Sequence, residues 1–482
     1  PLPAGSETLV LVLLLIGFPL ALGLAWAYEV TPAGLRRDEG DRASAQAPAS
    51  ALPEAERPEA SIAVLPFVDM SPDRDHEYFC DGIAEEIVNM LTRVPELHVA
   101  SRTSSFRFKG QAMDIADIAR QLRVRTVLEG SVRKARDRLR ITAQLVDAAT
   151  GFQLWSARYE RGIEDIFTSQ DEIARNITEV LEVRHAPCKC NYTQSIDAYD
   201  YYLQGWTYFH RVGPKNMAMA RHLFSRAIEL DPSFAKAWAG LADGYGYDYL
   251  YYNPSAENLQ EANRASQKAL ELAPELAEAH TSRALALSLS GEFAAAEAEF
   301  EAAIRINPNL FEAHYLYART CFHEGRLERA AELFERASAL RPLDYQSLIL
   351  LSRVLEGLGQ AELSLDAARR GVAIAEKVLE LKPDETRALY LAAGPLLQLG
   401  RDQEAHRWVE RALFIEPDDP AVLYNVACFY AQTGELEKAL DCLEKASLPG
   451  MANRSWMLHD ADLDPLRDHP RFARILAQVP AH

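Results

Sequence analysis

The spacing of apolar positions along this chain changes from two residues to a helical period near residue 198. Residues 61–68, 126–133, 139–146 and 152–159 alternate apolar or β-branched side chains with polar ones, with turn residues at 136–137 and 149–151. This predicts strands, and 97–101 reads as a shorter one. Asp81 is placed to cap a helix over 82–93, with Glu85 and Glu86 near its positive end, and 113–122 and 169–183 predict two more helices. Beyond 198, six prolines (Pro232, Pro274, Pro308, Pro342, Pro383, Pro417) each close a helical run, at gaps of 42, 34, 34, 41 and 34 residues. Ahead of Pro308 stand Ala284, Gly291, Ala296, Phe300 and Ala303; ahead of Pro342, Ala318, Gly325, Ala330, Phe334 and Ala337; ahead of Pro417, Ala393, Gly400, Ala405, Val409 and Ala412. Helices cross closely only where side chains are small, so the alanines mark contacts, the larger residue fills the space beside them, and glycine stops the first helix of each pair.

A unit of 34 residues with this internal order resembles the tetratricopeptide repeat (TPR). An early copy keeps Gly205, Tyr208, Ala220, Phe224 and Ala227; the next keeps Trp238, Leu241, Ala242, Tyr245, Ala262 and Ala269; a copy without a closing proline has Ala427, Tyr430, Gly434, Ala439 and Ala446. Seven repeats are expected over 198–447. They depart from the pattern at Gly213 and Pro214, in a Tyr-rich insertion at 247–254, and in about two added helical turns before Pro383. The resemblance implies a superhelical solenoid whose first helices line a protein-binding groove. By register that groove includes Tyr315, Arg319, Phe322, His323, Arg353, Arg387, Tyr390 and Tyr424. The mixture suits a peptide carrying acids and an apolar anchor, and it lacks the Lys and Asn set that clamps chaperone carboxylates. Tyr247, Tyr249, Tyr251 and Tyr252 either pack a long loop or offer rigid contact area to a partner.

The run 63–67 (AVLPF), with FCDGI at 79–83, VLEGSV at 127–132 and ITAQLVD at 141–147, resembles a FlgO/TolB-N-terminal-like domain of the kind found before TPR arrays in bacterial membrane proteins. The resemblance covers 61–184. Residues 9–27 carry no charge and are followed by Tyr28, long enough to cross a hydrocarbon core, which predicts a transmembrane helix within 1–30; a signal peptide is the competing reading. Arg36, Arg37 and Arg42 follow the run, and the positive-inside rule then places the larger part of the chain in the cytoplasm of a bacterial inner-membrane protein, with the periplasm as the alternative. The same family resemblance implies a first membrane helix ahead of Pro1. Residues 31–60, rich in Ala, Pro, Glu and Arg, predict a flexible linker, 185–197 a second one, and 448–482 a segment that caps the solenoid. The expected fold is thus multidomain: a transmembrane helix, an α/β (α+β) domain and an all-α solenoid.

Formal net charge is −19, and residues 185–482 hold 30 basic against 42 acidic side chains. An acidic solenoid repels phosphate backbones, so nucleic acid is not an expected partner. The six cysteines form no evident disulfide framework and predict free thiols. His185, Cys188 and Cys190 read as a linker with incidental thiols, or as three ligands of a soft ion lacking a fourth. Arg133, Lys134, Arg136, Arg138 and Arg140 cluster at a hairpin that is either solvated or docks on anionic lipid. The common phosphate-loop, zinc-protease and serine-hydrolase motifs are absent, so neither catalytic residues nor a cofactor or metal is expected. These features predict a non-enzymatic, membrane-tethered adaptor that binds other proteins. The alternative is the regulatory half of a cyclase- or kinase-type signalling enzyme, or of a transcription regulator, whose effector module lies upstream or on another chain.

Overall fold

The structure, a computed structural model, describes residues 28–31, 34–37, 60–73, 76–111, 113–135, 138–162, 165–183, 193, 195–211, 213–447, 457–458 and 460–479. The chain divides into two compact units, 1–56 and 57–482. In the first, β1 (Tyr28–Thr31) pairs antiparallel with β2 (Gly34–Arg37). A hairpin therefore stands where the sequence predicted the end of an anchor and the start of a linker. The proposed span at 9–27 lies outside the described residues, and no helix among the described residues is long and apolar enough to cross a membrane.

The second unit opens with a mixed sheet. β3 (Ser61–Val64) lies parallel between β5 (His98–Val99) and β6 (Thr126–Ala135), and β6 continues antiparallel into β7 (Arg138–Asp147) and β8 (Gln153–Gly162). The short β4 (Val68–Asp69) pairs with the far end of β6. Four helices accompany the sheet: α1 (Glu77–Leu91), α2 (Arg102–Phe106), α3 (Ile115–Leu122) and α4 (Ile166–Val180). Helix α1 starts five residues before the expected 82, because Asp69 accepts the backbone N–H of His76 at 2.9 Å and the His76 carbonyl then takes the N–H groups of Phe79 and Cys80. Asp81 is consequently not a cap. It lies within the first two turns and accepts a hydrogen bond from Lys109 at 2.6 Å.

Seven antiparallel helix pairs follow: α5 (Ile196–Phe209) with α6 (Pro214–Leu230), α7 (Ala235–Tyr251) with α8 (Ala256–Leu272), α9 (Ala277–Leu289) with α10 (Phe293–Ile306), α11 (Phe311–His323) with α12 (Leu327–Leu340), α13 (Tyr345–Gly357) with α14 (Ala361–Leu381), α15 (Thr386–Leu391) and α16 (Ala393–Gln398) with α17 (Asp402–Ile415), and α18 (Pro420–Gln432) with α19 (Leu436–Ser447). Small residues let the pairs close. Phe224 is fully buried in a slot between Gly205 and Gly240, where an added Cβ would stand 2.6 or 2.8 Å from its ring. Gly325, at φ 74°, ends α11 with paired bonds from Gly325 N–H to the Phe322 carbonyl and from Arg326 N–H to the Cys321 carbonyl, a turn that favours a residue without Cβ. The prolines serve the repeat as acceptors as well as stops. Trp238 Nε1 donates to the Pro232 carbonyl at 3.0 Å, and His280 and His314 place Nε2 2.8 and 2.9 Å from the carbonyls of Pro274 and Pro308.

Two features of the solenoid depart from expectation. The tyrosines at 247–251 do not form an inserted loop; they continue α7, which at 17 residues exceeds the 13 of α9, α11 and α13. The first helix of the sixth pair is interrupted at Ala392, since Pro395 has no N–H for the carbonyl one turn back. A 3₁₀ turn (Ala461–Leu466) and α20 (Pro470–Gln478) close the far end, with Phe472 and Ile475 buried against the last pair.

Sheet and solenoid share one core. Ile83 and Ile87 of α1, Tyr199, Tyr202 and Leu203 of α5, and Phe224 belong to one continuous apolar cluster. Gly82 admits the contact, because a Cβ there would meet Leu203 at 2.5 Å. At the same interface Glu86 and Lys236 pair at 2.5 Å, 2% and 3% exposed. The C-terminal end of α1 reaches further along the solenoid: Asn309 Nδ2 donates to the Thr92 carbonyl at 3.1 Å, and Arg93 lies 3.7 Å from Glu278. Removing one member of a buried pair strands the other charge at a cost of about 3–5 kcal/mol. Lys236→Ala is therefore expected to lower the first transition in urea unfolding by about that amount, whereas Lys236→Met with Glu86→Leu restores most of it.

Candidate functional site: a cavity between the α/β layer and the solenoid

The face of the solenoid built from the first helices meets α1 and α2 around a cavity of about 340 Å³. Helix α7 supplies one wall. Asp243, Tyr247 and Tyr251 recur at intervals of four on one stripe of it, so all three point the same way. Helix α5 adds Trp206, Phe209 and, at its end, His210; α11 adds Phe311 and Tyr315; α15 adds Arg387; and the α/β side adds Glu85, Val88 and Arg102. The rings contact one another along the wall: Phe209 lies 5.0 Å from Tyr247, which lies 5.7 Å from Tyr251.

Charge is distributed unevenly around it. Near α1, Arg102 Nε is 2.7 Å from Glu85, and His210 is 3.5 Å from the same carboxylate. Burial pushes Glu85 up, but Arg102 and His210 overcome it and hold it down at about 2. Burial, with Arg102 adding to it, lowers His210 below its ordinary value, so the imidazole is neutral at pH 7. Asp243 has no ion-pair partner among the described residues: burial, reinforced by Glu312 and Glu278, raises it to about 7 despite a hydrogen bond with Ser282. At the opposite end two guanidiniums flank one phenol. Arg387 Cζ lies 4.3 Å from the Tyr251 ring centre and Arg319 Cζ 5.2 Å, with Arg319 donating to the Tyr251 hydroxyl. Burial alone would raise Tyr251; Arg319 and Arg387 outweigh it and bring the phenol down to about 8.

The two residue sets picked from the sequence as separate features, a groove and a tyrosine loop, thus meet. Tyr315, Arg319 and Arg387 of the first gather around Tyr247 and Tyr251 of the second. Tyr252, the residue after α7, lines the cavity and its hydroxyl accepts the Gly213 N–H at 2.8 Å; Tyr390 is half-buried one turn beyond Arg387. Tyr249 is half-buried but does not line the cavity. Phe322 is half-buried against the core of the third to fifth pairs, and His323 is exposed beside Phe293, 5.6 Å ring to ring. Arg353 and Tyr424 belong to a different contact, with the C-terminal segment: Arg353 pairs with Asp462, and the Tyr424 hydroxyl donates to Asp460 at 2.8 Å. Neither is free to line an open groove. Cys428, Asp460 and Asp462 converge there within 4.8 Å, but Arg353 already neutralises Asp462 and burial keeps the Cys428 thiol protonated, so the cluster is a hydrogen-bonded seal. His185, Cys188 and Cys190 lie outside the described residues, as does Arg136 of the basic hairpin; Arg140 of that hairpin pairs with Glu160 at 2.8 Å. Asp243, Arg102, Trp206 and His210 were not singled out from the sequence, and Glu85 only as an acid near the start of a helix. The four-residue spacing of Asp243, Tyr247 and Tyr251 would have signalled the first of them.

The Asp243 shift carries a pH dependence. Its folded value, about 7, exceeds the ordinary 3.8, so between the two the native state binds more protons than the unfolded chain. Its contribution is complete below the lower value and is lost as pH rises through the upper. Asp243→Asn is expected to flatten this segment of the profile and to raise the melting temperature above neutrality relative to the parent, measured by thermal unfolding across pH.

Comparison with known proteins bears on each half. Tetratricopeptide-repeat family models match residues 287–351 and 420–447, and the second-domain model of HilA/YgeH-like transcriptional regulators matches 58–176. A curated relative, "Putative adenylate cyclase 3" of Rhizobium meliloti (strain 1021), is 39% identical over 235 residues, 47% of this chain and 40% of its own length. The chain therefore spans well under half of that relative. Among solved structures, a human IFIT1 dimer with PPP-AAAA is similar at 19% identity and a TM-score of 0.43, over 59% of this chain and 66% of its own. YrrB, described as a TPR protein with an unusual peptide-binding site, is similar at 24% identity and a TM-score of 0.27, over 44% and 96%. The chain is an all-helical TPR-like solenoid with a small N-terminal sheet domain.

Proposed function

We propose that this chain is a non-enzymatic scaffold that binds other proteins through its TPR solenoid and is tethered to a bacterial inner membrane by residues 1–30, with its larger part in the cytoplasm. The observation that carries the reading is the run of seven stacked helix pairs, a geometry that builds extended contact surface. The tether rests on the uncharged run at 9–27 and on the arginines after it. The FlgO/TolB-N-like reading of 61–184 belongs to the same proposal. Because α1 and the C-terminal turn already occupy parts of the inner face, a partner either uses the exposed flank at His323 and the outer helices or displaces one of them.

A second reading, the regulatory half of a signalling enzyme or transcription regulator, is favoured by a specific observation. The α/β domain matches a regulator's second domain, and about half the chain matches part of a protein named a putative adenylate cyclase. In that case the docked sheet domain would pass a signal between solenoid and effector.

Immobilised full-length chain should retain a stoichiometric protein partner, and Lys236→Ala, which loosens the docked domain, should change the amount retained at least severalfold if the inner face takes part. The same preparation supplied with ATP should form no cyclic AMP. Cyclic AMP production by the purified chain would overturn the non-enzymatic reading, and failure to retain any stoichiometric partner would overturn the scaffold.

A further inference from the structure

Two cations at one end of the cavity lack a carboxylate partner among the described residues: Arg387, which lines it, and Arg319, which meets it through Tyr251. The other two arginines that line it each have a carboxylate: Arg102 has Glu85 and Arg341 has Glu312. Among the described residues neither Arg319 nor Arg387 forms an ion pair within 4.0 Å, and Nε of Arg387 is buried without a hydrogen-bond acceptor. What they do have is a tyrosine: both guanidiniums lie over Tyr251, and Arg319 also lies 5.9 Å from Tyr315. Ring faces offset a cation only in part, by about 0.5–2 kcal/mol each. Asp344, the acid lining the cavity on α13's side, is committed as the cap of α13, accepting from Ser347 N–H and Oγ at 2.8 and 2.6 Å. Glu385, just ahead of α15, lines the cavity but, among the described residues, forms no ion pair with either arginine.

These cations come from the fourth and sixth helix pairs and the phenol from the second, so tertiary structure brings together like charges that no local rule requires. We infer that this end of the cavity binds a small organic anion, a phosphate ester or a carboxylate, with its anionic group at Arg387 and the Arg319–Tyr251 pair and its flat apolar body against Tyr247, Tyr251 and Tyr315. A planar guanidinium with unused N–H groups matches such oxyanions in geometry and charge. The cavity volume, about 340 Å³, lies near the lower end of the roughly 300–1,000 Å³ common for small-molecule sites, which suits a compact ligand. The lowered ionisation of Tyr251 reports the same positive potential independently of any ligand. The inference goes beyond scaffolding and needs no partner protein, so either reading can fail without the other.

Phenyl phosphate and benzoate, with benzylamine as the control cation, are the probes, titrated calorimetrically into the full-length chain. The two anions should bind and benzylamine should not; the tighter of the two identifies the headgroup. Arg387→Gln should weaken the anion by about tenfold or more, the loss of one charge-assisted hydrogen bond. Anion binding should also move the Tyr251 ionisation upward from about 8, followed by phenolate absorbance and assigned by its loss in Tyr251→Phe. This readout uses the parent protein and decides the matter even if Arg387→Gln does not fold. Absence of anion binding, equal binding by Arg387→Gln, an unmoved Tyr251 titration, or binding of acidic peptides but of neither small anion would each overturn the inference.

Discussion

The arrangement of this molecule depends on one helix being buried on two sides. Helix α1 covers the sheet with one face and the first two helix pairs of the solenoid with the other, and its buried residues accordingly run almost all the way round it. Such a helix needs a small residue where it meets its neighbour and a partner for any charge it carries inside. Gly82 meets the first need against Leu203; Lys236 meets the second for Glu86. The apolar area shared across this junction supplies the attraction, and the ion pair sets where along the solenoid α1 sits, since a buried carboxylate without its cation is unfavourable anywhere else.

That docking turns a repeat surface into a cavity. An isolated TPR array offers a continuous inner face; here α1 and α2 roof its beginning and the C-terminal 3₁₀ turn, held by Arg353 and Tyr424, seals its end. The remaining space lies between, where α7, α11 and α15 place their side chains. The greater length of α7 matters to it, because the added turn carries Tyr251 across to the arginines of the later pairs. The cavity's two ends then differ in kind. One holds Asp243, whose carboxyl pKa burial raises, and the other holds Arg319 and Arg387, which form no ion pair among the described residues. Aromatic rings separate them, limiting the water that would otherwise screen both.

Much of this was readable from one-dimensional pattern. The proline and alanine spacing identified the helix pairs because a repeat is a local unit: each alanine contact lies within one pair or between neighbours, and short-range packing rules act there. Strand alternation at 126–133, 139–146 and 152–159 was legible for the same reason, as an antiparallel meander pairs consecutive segments. The start of α1 was misread because its turn is organised by Asp69, seven residues from His76 and on another element. The tyrosine run looked like an insertion because it broke the repeat length; in fact helix periodicity continues through Tyr247 and Tyr251.

The sequence by itself therefore determined the elements, their pairing within repeats and the acidic character of the solenoid, all consequences of residue type and near spacing. Only tertiary structure decided that Arg319 and Arg387, 68 residues apart, share one phenol, that Glu86 answers Lys236 across 150 residues, and that Arg353 and Tyr424 serve a seal rather than a groove. Those contacts join residues far apart in the chain. No periodicity encodes them, because they follow from how many small helix-to-helix rotations add up before the sheet domain and the C-terminal segment fold back onto the stack.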